Sequence, residues 1–113
     1  MGVLVALLAV PPPVSALLGN KKKTAERAGA LLFHDRGCDH CHGQGGIGGK
    51  KGPPLTRLYR DRQWSPARIT HQILYGGKKM PAFGDSVTDA EAAELVAYLR
   101  ARHKPAPPPP AGQ

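Results

Sequence analysis

Cysteine, aromatic residues and acidic residues are all scarce in this chain of 113 residues. Its two cysteines are too few for a zinc site built from two cysteine pairs. Phe, Trp and Tyr make up 5% of the residues, and no run of them alternates with basic residues as in proteins that stack on bases, which argues against nucleic-acid binding. Asp and Glu number 8 against 16 Lys and Arg, and the formal net charge of +8 favours acidic partners.

The chain also lacks internal repeats and any clear alternation of polar and apolar residues, so it predicts helices without a sheet. The first helix is predicted to begin after Thr24 as N-cap and to end at Gly37. Its apolar stripe has helical spacing and consists of Ala25, Ala28, Gly29, Leu32 and Phe33. A glycine within a helix costs about 1 kcal/mol relative to alanine, so we expect another backbone to approach closely at Gly29.

Two further helices follow from their start and stop signals. Ser65 is the predicted N-cap of one, with Pro66 at its first position and an end at Gly76. The sequence Thr88-Asp89-Ala90-Glu91 is a capping box and predicts the start of the last helix. Between the first two helices, residues 43–54 contain six glycines and two prolines and predict an irregular connector.

The N-terminus has the pattern of an export signal. Residues 1–16 carry no charged side chain, Val3–Val10 form an unbroken apolar run, and Val14-Ser15-Ala16 provides small residues for cleavage. The apolar run is shorter than a bilayer span requires, so a cleaved signal is predicted, with an uncleaved anchor as the alternative.

The remaining chain divides into three parts. Residues 17–23 are predicted to form a basic linker, and residues 24–104 a single folded domain. Residues 105–113 are rich in proline and predict a solvated tail of polyproline II type. A domain of about 80 residues usually needs a covalent or metal staple, which directs attention to the two cysteines.

Cys38 and Cys41 lie three residues apart, and His42 follows directly. A thioredoxin-like disulfide is disfavoured because such sites lie at a junction of a strand with a helix. A structural zinc site is disfavoured because no second ligand pair has suitable spacing. Cys-x-x-Cys-His is instead the attachment signature of a c-type haem, in which His42 binds the iron. Met80, in a loop bounded by glycine and proline, can supply a second iron ligand.

With these motifs the chain resembles the class I cytochrome c family, specifically its small bacterial monohaem domains. The resemblance covers the predicted domain and rests on Gly29-x-x-x-Phe33, Cys38–His42, Gly52-Pro53-Pro54-Leu55, Met80-Pro81-x-Phe83 and Leu95-x-x-Tyr98-Leu99. It implies an all-α fold, the compact cytochrome c fold, with three main helices and long loops wrapped around one covalently bound haem.

The resemblance also implies roles for individual residues. Cys38 and Cys41 are expected to bind haem c covalently, and His42 and Met80 to bind its iron. The carbonyl group of Pro53 is expected to accept a hydrogen bond from the proximal histidine. Family members supply partners for the haem propionates from the segment between Arg57 and Trp64. In this chain Tyr59, Arg62 and Trp64 are the candidates for that contact.

An iron with histidine and methionine ligands has no open position for a substrate, so the predicted function is one-electron transfer between redox protein partners and not catalysis. The positive charge predicts donor and acceptor proteins with acidic docking faces, and the export signal predicts the periplasm or the extracytoplasmic face of the membrane. Contact with the membrane itself is expected only through an uncleaved N-terminus. Three alternatives remain: a haem enzyme, a gas-binding protein with a labile methionine ligand, and the electron-donor subunit of a larger dehydrogenase or oxidase.

Overall fold

The computed structural model of this chain describes residues 2–6, 9–11 and 13–106. Within these residues the secondary structure is entirely helical. The elements are α1 (Val14–Asp35), α2 (Cys38–His42), a 3-10 turn (Gln44–Gly46), α3 (Pro66–Tyr75) and α4 (Asp89–Leu99). The predicted all-α class is therefore confirmed, with three main helices and one short helix that the sequence did not predict.

Helix α1 begins earlier than predicted. Its N-cap is Pro13, in an extended conformation, and Thr24 lies inside the helix, where its hydroxyl donates a hydrogen bond to the carbonyl group of Asn20 at 2.9 Å. The prediction of Thr24 as N-cap is wrong because the leucines and lysines between Pro13 and Thr24 favour helix. The predicted end is confirmed, since α1 stops at Asp35 with Arg36 as its C-cap, directly before Gly37.

The described part of the predicted export signal is exposed, and Met1, Leu7, Leu8 and Pro12 lie outside the described residues. Of the predicted tail, only Pro105 and Ala106 are described. Across residues 2–6, 9–11 and 13–106, no helix has both the length and the hydrophobicity needed to cross a bilayer. The cleavage site and the predicted domain boundaries stay predictions.

Helices α3 and α4 begin at the predicted caps. The Ser65 hydroxyl accepts a hydrogen bond from the backbone N–H of Arg68, and Pro66 is the first residue of α3. Thr88 and Glu91 form a complete capping box, in which each side chain accepts a hydrogen bond from the backbone N–H of the other residue. These bonds satisfy backbone donors that otherwise have no partner at a helix start, so both boundaries are fixed locally.

The core lies where α1 crosses α4 and where α3 packs against α4. Gly29 and Phe33 supply the α1 face of this crossing, and the ring centroid of Phe33 lies 5.5 Å from that of Tyr98. A Cβ atom at Gly29 would overlap the carbonyl oxygen of Glu94 and lie 2.6 Å from the Cβ of Tyr98. The expected close approach at Gly29 is therefore confirmed. The buried apolar side chains are Ala30, Phe33, Ile69, Ile73, Val87, Ala92, Leu95, Val96, Tyr98, Leu99 and Ala101.

The connector between α2 and α3 follows the predicted irregular course, apart from the 3-10 turn. Arg100, the C-cap of α4, fixes the second half of this connector. Its guanidinium group donates hydrogen bonds to the carbonyl groups of Leu58 at 3.0 Å and Trp64 at 2.8 Å. A charged side chain that bonds two loop carbonyl groups restricts the loop without a regular element. The loop that carries Tyr59 and Trp64 is thereby attached to the helical core.

Candidate functional site

Helix α2 brings three of the predicted site residues together. Cys38 and Cys41 lie three residues apart in it, which places their side chains on neighbouring positions of one helical face. Both cysteines are half-buried and carry free thiols. His42 is the last residue of the helix. One short helix therefore presents two sulfur atoms and an imidazole group, as the Cys-x-x-Cys-His signature requires.

Cys38 packs against the hydrophobic core. Its burial raises the pKa of the thiol to about 11, so the sulfur is protonated at neutral pH. A buried thiol that faces apolar side chains is compatible with a thioether link to a porphyrin.

The orientation of His42 is set by the connector. Its Nδ1–H donates a hydrogen bond of 2.8 Å to the carbonyl oxygen of Pro53, so Nε2 is the nitrogen left to bind a metal. The connector comes this close because residue 52 is a glycine, where a Cβ atom would lie 2.9 Å from the Nδ1 of His42. A carbonyl group that accepts a hydrogen bond from one ring nitrogen fixes the tautomer of a histidine whose other nitrogen binds a metal. The expected contact between Pro53 and the proximal histidine is present.

The middle of α2 is anchored by an ion pair. Asp39 accepts a hydrogen bond through Oδ2 from the Nδ1 of His34 at 2.7 Å, whereas its Oδ1 is buried without a hydrogen-bond partner. The hydrogen bond from His34 to Asp39, strengthened by the charge of Asp39, raises the pKa of His34. Burial, and secondarily the charge of Asp39, raises the pKa of Tyr98. The pair links the end of α1 to the helix that carries the two cysteines.

Met80 lies in the loop between α3 and α4. It is half-buried, packs against the hydrophobic core as Cys38 does, and its sulfur atom lies 3.7 Å from the Nε2 of Gln72. The neighbouring Lys78 and Lys79 are exposed. The structure thus places the thioether group against the core and the two lysines at the surface, and ligation of iron by Met80 stays a prediction.

Partly buried apolar side chains border the core beside these groups. They are Leu32, Leu55, Leu58, Trp64, Leu74 and Phe83, in addition to Cys38 and Met80. Unlike the fully buried core residues, they keep apolar surface available for a further apolar group. A porphyrin needs such surface together with two thiols, an imidazole with a free Nε2 and a soft second ligand. The residues present therefore fit a covalently attached haem.

The candidates for propionate contacts lie in one loop. Tyr59 is half-buried beside Arg60, whose guanidinium carbon lies 5.6 Å from the ring centroid. Trp64 packs against the core, and Arg68 lies over its indole ring at 4.2 Å. Arg62 is exposed. Their role toward propionates stays a prediction.

Sequence reasoning missed two residues that support the site. Gln72 contacts the Met80 sulfur across eight residues of sequence, and Arg100 holds the loop of Trp64 across 36. Neither residue belongs to a sequence motif, and each contact depends on how a loop folds back onto a helix.

Comparison with protein families gives a match over most of the described domain. The family described as cytochrome c oxidase, cbb3-type, subunit III matches residues 24–99. One curated relative, a dihydro-heme d1 dehydrogenase of Pseudomonas aeruginosa, is 38% identical over 85 residues, which are 74% of this chain and 17% of the relative. Another, the cbb3-type cytochrome c oxidase subunit FixP of Sinorhizobium medicae, is 33% identical over 89 residues, which are 66% of this chain and 29% of the relative.

A solved structure agrees with these matches. The dihydro-heme d1 dehydrogenase NirN, in complex with DHE, superposes with a TM-score of 0.58 and 34% identity, over 76% of this chain and 17% of that protein. The expected cytochrome c fold is therefore confirmed. The chain spans less than a third of the length of each curated relative it matches.

Proposed function

The chain belongs to the family of cbb3-type cytochrome c oxidase subunit III, a class I cytochrome c family with covalently bound haem c, and on this premise we propose that it carries single electrons between redox protein partners. The observation that carries the proposal is the hydrogen bond from His42 Nδ1 to the Pro53 carbonyl group, which leaves Nε2 for iron. Cys38 and Cys41 hold the haem as thioethers. His42 and Met80 would bind its iron.

The bound haem supplies one-electron chemistry, and the protein determines which oxidation state is favoured. Pro53 fixes the imidazole plane and raises the basicity of His42. Met80 is a soft ligand that favours reduced iron. With His42 and Met80 both bound to the iron, no position would be left for a substrate, so we propose carriage and not catalysis. Tyr59 and Trp64 complete the proposal as propionate contacts.

A second candidate is the electron-donor subunit of a larger dehydrogenase or oxidase. It is supported by the lengths of the relatives, because this chain covers 17% of a dehydrogenase and 29% of an oxidase subunit. The same ligands serve both functions, and only the partner differs. Stable co-purification with a dehydrogenase or oxidase would favour this candidate over a free carrier.

The proposed location is the periplasm or the extracytoplasmic face of the membrane. The supporting observation is the uncharged, apolar residues 1–16, which have the length and the small residues of an export signal. The proposed partners have acidic docking faces, because the chain carries a formal charge of +8.

Covalent attachment is tested by haem staining. After extraction with acid acetone and denaturing electrophoresis, the stain is expected to stay with the polypeptide. Replacing Cys38 or Cys41 with Ala should weaken retention of the haem, and His42→Ala should remove the proximal iron ligand. His40→Ala is the control, because His40 is an exposed neighbour. It should leave haem retention and iron ligation unchanged. Loss of the stain from the unaltered protein, or one zinc per chain, would contradict the proposal.

Ligation by Met80 separates carriage from catalysis. The oxidised protein is expected to show the weak near-infrared band of sulfur-to-iron ligation, and the reduced protein to bind carbon monoxide poorly. Met80→Ala should abolish the band, lower the reduction potential and open the iron to carbon monoxide. An unaltered protein that is high-spin and binds carbon monoxide rapidly would favour the haem enzyme or the gas-binding protein.

A further inference from the structure

The carboxamide group of Gln72 lies against the sulfur atom of Met80. The distance from Nε2 to the sulfur is 3.7 Å, and both side chains are half-buried. A thioether is a weak hydrogen-bond acceptor, so this contact would contribute little stabilisation if both groups were exposed to water. Partial burial of both groups makes it more significant, because water competes less for the amide donor.

The backbone holds the two groups in this arrangement. The N–H of Gly77 donates a hydrogen bond to the carbonyl group of Met80 at 2.9 Å, and the N–H of Gly76 donates one to the carbonyl group of Gln72 at 2.8 Å. The other end of the loop is tied to the same helix, because the N–H of Phe83 donates to the carbonyl group of Ile73 at 3.0 Å. The loop of Met80 is therefore fixed to the last turn of α3, from which Gln72 projects.

We propose that Gln72 is the positioning residue for Met80: its amide donates a hydrogen bond to the thioether sulfur and thereby orients the sulfur and tunes the iron. This inference rests on the proposed ligation of iron by Met80. A thioether sulfur has two lone pairs, and the hydrogen bond occupies one while the other remains for the metal. The donor withdraws electron density from the sulfur, which stabilises reduced iron relative to oxidised iron.

The test compares two exchanges of a polar side chain for an apolar one of similar size on α3. Gln72→Met removes the amide donor. Thr70→Val is the matched control, because the Thr70 hydroxyl bonds the Pro66 carbonyl group at 2.9 Å, within the helix. We expect Gln72→Met to shift the equilibrium from reduced toward oxidised iron by roughly two- to fivefold, the effect of one weak hydrogen bond. Thr70→Val should leave the equilibrium unchanged.

If Gln72 only supported the fold, its replacement would not change both the reduction potential and the absorption spectrum. Gln72→Met is therefore also expected to shift the near-infrared band. An unchanged potential and an unchanged band in folded Gln72→Met protein, with haem attached, would overturn the inference. If the band is absent from the unaltered protein or survives Met80→Ala, the ligation itself fails, which is a different result.

A measurement on the unaltered protein covers the case in which Gln72→Met does not fold. In the reduced, diamagnetic protein, the side-chain amide protons of Gln72 should show a nuclear Overhauser effect to the methyl group of Met80. Slow exchange of those protons with solvent is expected as well. A Met80 methyl group shifted by the haem but without any contact to the Gln72 amide would refute the positioning role and leave ligation intact.

Discussion

Gly29 shows how one residue controls the contact between two helices. At this position the backbone of α1 lies against the carbonyl oxygen of Glu94 and the Cβ of Tyr98 on α4. Any side chain there must displace the α4 backbone, which cannot move without disturbing Leu95 and Tyr98 in the core. Glycine destabilises a helix by about 1 kcal/mol relative to alanine, but at this position its missing side chain permits the two backbones to approach.

Gly29→Ala is therefore expected to destabilise the domain by about 1–3 kcal/mol through overpacking, although alanine is the better helix former. Gly19→Ala is the control in the same helix, because a Cβ atom at Gly19 would meet no other atom within 4 Å. It should be neutral or stabilising by up to about 1 kcal/mol. Denaturant unfolding of the haem-bound protein measures both. A stabilising Gly29→Ala would show that the two helices do not cross here in solution.

The site residues differ in how far the sequence could reveal them. Cys38, Cys41 and His42 form a contiguous motif, and Met80 stands out because it is the only methionine besides the first residue. The contact of Pro53 followed from the family resemblance. Gln72 could not be predicted, because its contact depends on how the loop of Met80 folds back onto α3. That path is set by backbone hydrogen bonds that any sequence with suitable glycines can make.

At the scale of elements, the start of α4 is joined to the end of α1. Arg36, the C-cap of α1, donates hydrogen bonds to the Glu91 carboxylate at 2.9 Å and to the carbonyl group of Ser86 at 3.0 Å. Glu91 also accepts the backbone N–H of Thr88 at 3.0 Å. One carboxylate thus caps α4 and ties it to α1.

Stability is expected to fall in acid because of this carboxylate. The backbone hydrogen bond from Thr88, assisted by the Thr88 hydroxyl group and by Arg36, lowers the pKa of Glu91 below its ordinary value of 4.5. A lowered pKa stabilises the folded state above the ordinary value, and that contribution is lost as the pH falls through the folded-state pKa. Glu91→Gln should remove this component from the pH profile of the unfolding free energy. An identical acid profile for the variant would contradict the assignment.

The start of a helix could be predicted where the side chain of the N-cap residue bonds a backbone N–H just ahead of it. It could not be predicted where that side chain has another backbone group to bond. Ser65 and Thr88 each accept a backbone N–H three residues ahead, so their sequences alone fix the starts of α3 and α4. Thr24 has the same residue type, but its hydroxyl bonds the carbonyl group four residues behind. A threonine inside a helix makes that bond readily, so residue type alone cannot distinguish a cap from an interior position. Nothing between Pro13 and Thr24 breaks the helix, which is why α1 extends beyond the predicted start.

For the molecule as a whole, charge is the property that connects structure to partners. Lys50 and Lys51 follow α2, and Lys78 and Lys79 precede Met80, so two pairs of exposed lysines flank the segments of the proposed ligands. Attraction between such pairs and an acidic face accelerates encounter and is screened over about 10 Å at 0.1 M salt. If these lysine pairs form the docking face, the rate of electron transfer should depend more on the position of the lysines than on the net charge of the protein.

Charge reversal at matched positions tests this expectation. The double variant Lys78→Glu, Lys79→Glu and the double variant Lys22→Glu, Lys23→Glu lower the formal charge of +8 by the same amount. The second pair lies in the part of α1 that precedes the Gly29 crossing. With an anionic electron acceptor at low salt, we expect the first variant to slow bimolecular electron transfer severalfold and to flatten its dependence on ionic strength, because local attraction dominates at short range. The second should change the rate far less.

Retention of the near-infrared band by the first variant shows that the ligand loop is intact. Equal slowing by both pairs would mean that net charge alone governs encounter and that no docking face surrounds Met80.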